Sequence, residues 1–455
     1  MEAKGNGKNI IYLHCHDTGR YIQPYGYAVP TPFLQSLAEE GMLFRNLHCA
    51  SPTCSPSRAA LLTGMYPHNA GMFGLVNRGF ELEHKECHLA NYLKQYGYTT
   101  LLAGIQHVTM ERNGIGYDRA LDMEGFDSEQ LVEHALAAVD EIEDGPFFLD
   151  LGLSDTHRPF TPDLEHVCAD YVRPPELIPD NRKTRQDMAD FIAEAIRFDK
   201  AVGACIKGLE ERGLKDTSII LCTTDHGIAF PEMKCNLTQF GTGVFGMLIC
   251  PGEIPAGMVT DALASQIDLF PTLCDLAGIP VPSWVQGKSL CPLFSDPDGE
   301  IRGELFAESN YHCNYEPQRM VRTQEWLYIK RYTDWNGKYS ANCDEGLTKE
   351  LFLEKGWQKR KVAKEQLYDL TFDPMERSNV ADEPEHAHVL EQMRSKLEEW
   401  QEETEDLICQ GRITVYCTNT PDGEVFVSDE TDRETFALWK TRKQPKGYAL
   451  SLIHI

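Results

Sequence analysis

Cys54-Ser55-Pro56-Ser57-Arg58 places a thiol beside residues that open a helix. Proline suits a first helical turn, where its missing N–H has no partner to lose. The free N–H groups and positive dipole end of that turn face residue 54, and Arg58, one turn in, adds a fixed cation. This pattern favours an anion or a nucleophile at position 54. Two further clusters carry metal-ligating residue types, His14-Cys15-His16-Asp17 and Asp225-His226-Gly227, each closing an apolar run. Asp17, Asp225 and His226, with His16 as a further candidate, hold more nitrogen than calcium prefers. Imidazole ligands suit manganese or zinc.

Groups that must converge need a rigid frame, and the apolar runs supply one. Short stretches apolar on both faces at 10–13, 99–103, 147–153, 218–223 and 247–250 read as strands of a helix-covered parallel sheet. Thr31-Pro32 opens a helix whose apolar positions end at Gly41, and a longer helix is expected over about 185–212, stopped by Gly213. Alternating strands and helices predict a doubly wound α/β domain over 1–305, with the site at strand ends. From 306 to 455 a smaller α+β domain is expected: a strand pair at 320–322 and 326–329, a polar stretch, an apolar segment at 367–370 and a helix over 385–403. The last six residues, 450–455, back-translate into the end of a sequencing adapter, so the natural C-terminus is expected to differ.

The formal net charge of −27 argues against nucleic acid or an anionic membrane as partner. It does not exclude a small anion, because charges beyond about 8 Å are largely screened at physiological salt. The apolar runs are far shorter than the roughly 20 residues that span a bilayer. The 15 cysteines are odd in number and irregular in spacing, which reads as small buried hydrophobes rather than a disulfide framework. With no apolar signal segment ahead of residue 9, the cytoplasm is the expected location.

The segment from Cys54 to Gly64 resembles the signature C-x-P-S-R-x-x-x-L-T-G of the sulfatase family at every defined position. The resemblance covers nearly the whole chain and implies an alkaline-phosphatase-like fold. It also implies oxidation of Cys54 to formylglycine by a formylglycine-generating or anaerobic maturation enzyme, and one divalent metal, calcium by default, with residue 54 among its ligands. Sulfatases carry an Asp-Asp pair after the first strand, where this chain has His16-Asp17, and a lysine then a histidine where it has Gln106-His107. His157 and Lys234 are similarly placed to the family's later histidine and to a cation that contacts sulfate. Segments 71–75, 225–231, 367–370 and 399–404 resemble the sulfamidase branch, which acts on N-sulfated sugars.

The implied mechanism has the hydrated aldehyde at residue 54, activated by the metal, attack sulfur. Arg58 and Lys234 neutralise the sulfate oxygens, and His157 or His107 protonates the leaving oxygen or nitrogen. The substrate expected is a small sulfated sugar, with His312, Arg319 and Arg322 from the second domain as candidates for specificity. The alternatives are a phosphonate or phosphate ester hydrolase on the same scaffold and a non-catalytic carbohydrate-binding relative.

Overall fold

The computed structural model describes residues 5–163 and 167–411; the 450–455 tail lies outside the described residues. Strand β1 (Asn9–Cys15) is apolar on both faces because both faces are covered. Ile10 and Tyr12 enter one core, while Ile11, Leu13 and Cys15 enter another, as the period of two along a strand requires. The remaining strands of this part are β2 (Met42–Phe44), β3 (Leu47–His48), β4 (Thr99–Gly104), β5 (Arg119–Ala120), β6 (Phe147–Gly152), β7 (Ser218–Thr224), β8 (Gly246–Ile249), β9 (Met258–Thr260) and β10 (Ala264–Ser265).

Eight of them form one sheet in the order β5-β4-β6-β1-β7-β8-β2-β9, and β3 pairs with β10. Pairing is parallel from β5 through β7. β8 runs antiparallel to both of its neighbours, a direction that its apolar run did not reveal. Helices Pro32–Glu40, Ser128–Val139 and Arg182–Glu211 pack on one face through Leu34, Leu136 and Phe198. Helices Cys54–Thr63, Leu89–Lys94 and Leu269–Ala277 cover the other through Leu61, Leu93 and Phe270. Each fully buried side chain of this size is worth about 1.5–3 kcal/mol, so the two cores hold the sheet as a stiff platform. The expected strands correspond to β1, β4, β6, β7 and β8, with ends shifted by one or two residues.

A second, antiparallel sheet follows, with β11 (Leu305–Tyr311), β12 (Tyr315–Arg322), β13 (Trp326–Arg331) and β14 (Glu365–Asp369) in sequential order. Helix Ala387–Glu403 lays Val389, Met393, Leu397 and Trp400 over it. The same cluster takes in Ala60 and Ile267, so the smaller sheet packs against the back of the helix that carries Cys54. Among the described residues no helix is long and apolar enough to cross a membrane. The fourteen described cysteines are free, and nine of them are buried.

Candidate active site at the carboxyl ends of four strands

β4, β6, β1 and β7 are adjacent and parallel, so their carboxyl ends open on one edge, where doubly wound sheets place their ligands. His107 follows β4, His157 follows β6, His16 and Asp17 follow β1, and Asp225 and His226 follow β7. Asp17 and His107 have positive φ, at 44° and 55°. Such backbone is uncommon outside glycine and persists only where the surroundings over-determine it. At Asp17 the backbone N–H donates to Asp225 Oδ1 at 2.9 Å.

Cys54 is the first residue of its helix, with extended Thr53 before it. Its Sγ lies 3.2 Å from His226 Nε2, and it is fully buried. One ligand atom each from His16, Asp17, Cys54 and Asp225 can be chosen so that all lie within 4.8 Å of one another. The chemistry of these donors fits a divalent cation. His226 Nδ1 lies 3.0 Å from the Gly227 carbonyl; with the proton of a neutral ring placed there, the Nε2 lone pair faces inward. That lone pair faces Asp17 Oδ1 at 3.2 Å, two electron-rich atoms that a cation would bring to terms. Both ring nitrogens of His16 lack a hydrogen-bond partner among the described residues, although Nδ1 approaches Asp225 Oδ2 at 3.4 Å.

Asp225 is the most heavily engaged group. Its Oδ1 accepts from the N–H groups of Asp17 and His226, and its Oδ2 accepts from Arg58 Nε and Nη2 at 3.2 and 3.1 Å. Burial raises its carboxyl, but His226 and Arg58 outweigh that and hold it well below the usual range. Arg58 therefore does not stand free beside an oxyanion, as the sequence suggested. Its remaining donors go to the Cys15 carbonyl at 3.0 Å and to His14 Nδ1 at 2.6 Å. His14 Nε2 in turn meets Asp150 Oδ1 at 2.8 Å, and Asp150 accepts from Tyr117 Oη at 2.5 Å. All three Arg58 nitrogens are thus engaged within the protein, by Asp225, the Cys15 carbonyl and His14. Sequence reasoning named His14 only as a member of its cluster and missed Asp150 and Tyr117, although a histidine inside an apolar strand signals a buried partner.

Lys234 Nζ bridges Asp17 Oδ2 at 3.0 Å and Asp344 Oδ2 at 2.9 Å. Burial works against its charge, but the two carboxylates hold it well above its ordinary value. Asp344 comes from the polar stretch after β13 and had no motif to announce it. His107 and His312 are buried, with both ring nitrogens unpartnered among the described residues. Burial and then Arg58 push His107 down to about 3, while burial and then Lys234 push His312 well below its usual value. His157 directs Nδ1 at the Arg158 carbonyl and leaves Nε2 unpartnered. Its ring meets that of His16 edge-on, with centroids 5.3 Å apart.

Arg319 and Arg322 are corrections. Arg319 is fully buried and grips Asp406 through Nε and Nη2 at 2.6 and 2.8 Å, while Arg322 pairs with Glu376 at 2.7 Å. Both serve packing within the C-terminal part rather than a substrate. Burial raises the Asp406 carboxyl, yet Arg319 brings it down to about 2. A depressed carboxyl stabilises the fold fully above its unfolded value and loses that contribution as pH falls through the folded one. Asp406→Asn should therefore flatten the loss of stability between about pH 4 and pH 2 in denaturant titrations.

A family model described as Sulfatase matches residues 8–279, and one described as N-sulphoglucosamine sulphohydrolase, C-terminal, matches residues 244–340. The human N-sulphoglucosamine sulphohydrolase is 29% identical, over 89% of this chain and 92% of its own. An ulvan-active sulfatase of Formosa agariphila is 26% identical, over 90% of this chain and 82% of its own. A structure solved in complex with its substrate D-glucosamine-2-N,6-O-disulfate shares the fold, with a TM-score of 0.71 at 19% identity, covering 88% of this chain and 99% of that one. The fold is alkaline-phosphatase-like. With the Sulfatase model spanning more than half of the residues and the Cys-Ser-Pro-Ser-Arg run heading a helix at the sheet's ligand edge, the chain belongs to the sulfatase family, enzymes that hydrolyse sulfate esters and N-sulfates.

Proposed function

We propose that the protein removes sulfate from a small sulfated carbohydrate, with residue 54 as formylglycine and one divalent ion held by Asp17, Asp225, His226 and His16. The observation that carries this reading is the gathering of Cys54 with Asp17, Asp225 and His226 in one buried cluster. The carbohydrate assignment rests on relatives named for N-sulphoglucosamine and ulvan, and on a structure whose title names a glucosamine disulfate as substrate. When present, the hydrated aldehyde supplies the nucleophile and the ion supplies positive charge beside the sulfate. Calcium is the family default, although the imidazoles also suit manganese or zinc.

The chain's own residues divide the remaining work. Lys234 meets a sulfate oxygen, and Arg58 fixes Asp225. His157, anchored through Nδ1, presents Nε2 to the leaving group, an acid role worth about 10²–10⁴ in rate. His107 suits that role less, because burial and Arg58 keep it neutral. His312, buried near Lys234 and Asp344, is the candidate from the C-terminal part for contact with the sugar.

The test is co-expression with a maturation enzyme, aerobic or anaerobic. Intact mass should fall by about 18 Da as the thiol becomes an aldehyde. The matured protein should then turn over at least one member of a panel of sulfated monosaccharides, N-sulfoglucosamine included, far faster than a phosphodiester. Turnover of the phosphodiester alone would reverse the assignment.

A further inference from the structure

An anion site that carries an extra buried carboxylate needs a reason for it. Asp344 is 4% exposed and lies 2.9 Å from Lys234, which also binds Asp17. On field alone such a carboxylate would repel sulfate. Lys234 has a flexible four-carbon stem, and tied to Asp17 alone, at 3.0 Å, its ammonium could swing about that carboxylate. A second carboxylate, at 2.9 Å, fixes it through a second ion pair.

The loop that delivers Asp344 is fastened on both sides. Asn342 Oδ1 accepts from the N–H groups of Cys313 and Asn314 at 3.0 and 2.8 Å, and its Nδ2 donates to Glu316 at 2.9 Å. This joins the Asp344 loop to the turn that carries His312. Lys349 Nζ donates to the Cys343 carbonyl at 2.6 Å. Across the boundary, Thr348 N–H donates to Asp187 Oδ2 at 3.0 Å, and Asp187 takes a forked pair from Arg158 at 2.8 and 2.9 Å. Arg158 is the neighbour of His157 and donates through Nε to the Ala229 carbonyl at 2.8 Å. The loop is therefore clamped to the segments that follow β6 and β7. Burial opposes the charge on Asp344, but Lys234 and then His312 keep its carboxyl ionised.

We infer that Asp344 is a positioning residue supplied by the C-terminal part of the chain, which fixes the Lys234 ammonium beside Asp17 in the place where it meets a sulfate oxygen. This rests on the proposed role of Lys234.

The test compares matured wild type with Asp344→Asn, Lys234→Gln and the double variant. Binding of inorganic sulfate is measured by calorimetry, together with kcat, KM and melting temperature. Asparagine keeps the side-chain volume and deletes a negative charge, so an electrostatic role alone predicts tighter sulfate binding. Positioning predicts the opposite: sulfate binding about 10-fold weaker and kcat/KM lower by about 10- to 100-fold, less than the 10²–10³ typical of a direct contact. In the Lys234→Gln background the same substitution should change either quantity by no more than about two-fold. Should Asp344→Asn not fold, Asn342→Ala loosens the loop with both charges kept, and its loss should likewise vanish in the Lys234→Gln background. Unchanged or tighter sulfate binding in Asp344→Asn, or equal losses in both backgrounds, overturns the inference. If wild type binds sulfate but hydrolyses no sulfated sugar, the proposed function fails, and the sulfate-binding comparison still judges Asp344.

Discussion

Cys54→Ala, produced beside the maturation enzyme, should lose turnover by about 10⁴-fold or more, since removing a nucleophile removes the unit on which the rest of the site depends. Melting temperature should stay near that of wild type, and metal content should fall far less than turnover, since Cys54 is one donor of a cluster that keeps His16, Asp17 and Asp225. Among the described residues the thiol makes one polar contact, to His226 at 3.2 Å, and its helix is held by Ala59, Ala60, Leu61 and Leu62 in the cores behind it. Turnover assays on a sulfated sugar, with metal analysis of the same sample, read both expectations. Near wild-type turnover in the alanine variant would end the formylglycine reading.

Asp225→Asn should have the second largest effect, and on two measurements at once. Oδ1 receives two backbone N–H groups and Oδ2 receives two Arg58 donors. Whichever way the amide is turned, its NH2 faces a donor. Arg58 is then left buried against a neutral neighbour, and breaking a buried pair from one side costs about 3–5 kcal/mol. The carboxylate is also the group best placed to hold the ion together with Asp17, so metal content and turnover should fall together, the latter by about 10³-fold or more. Full metal occupancy with undiminished stability in this variant would mean that Asp225 is neither ligand nor anchor.

The elements were legible where one local rule decided them. β1 and β7 are apolar on both faces because a sheet with two covered faces requires it, and the same runs ended at the residues now found on the ligand edge. The long helix ran from its Asn181 cap to just short of Gly213, close to the expected 185–212. β2, β5 and β9, of two or three residues, were too short to show a period.

The site was legible in residue type but not in direction. Arg58 was placed correctly along the chain, yet its target was set by Asp225, 167 positions away. Arg319 and Arg322 looked available until Asp406 and Glu376 claimed them. Asp344 and its partner Lys234 are joined only by the fold, and nothing local in the polar stretch singles out that aspartate.

The complete enclosure of Cys54 orders events in the cell if residue 54 is oxidised. Another protein cannot lay a catalytic centre against a side chain so deeply buried at the head of its helix, so the modification must overtake folding. Chains that fold first are stranded as soluble-looking, well-packed molecules without chemistry, and adding the modifying partner afterwards would not rescue them short of unfolding. The yield of active protein then reports a race between two rates rather than the stability of either form.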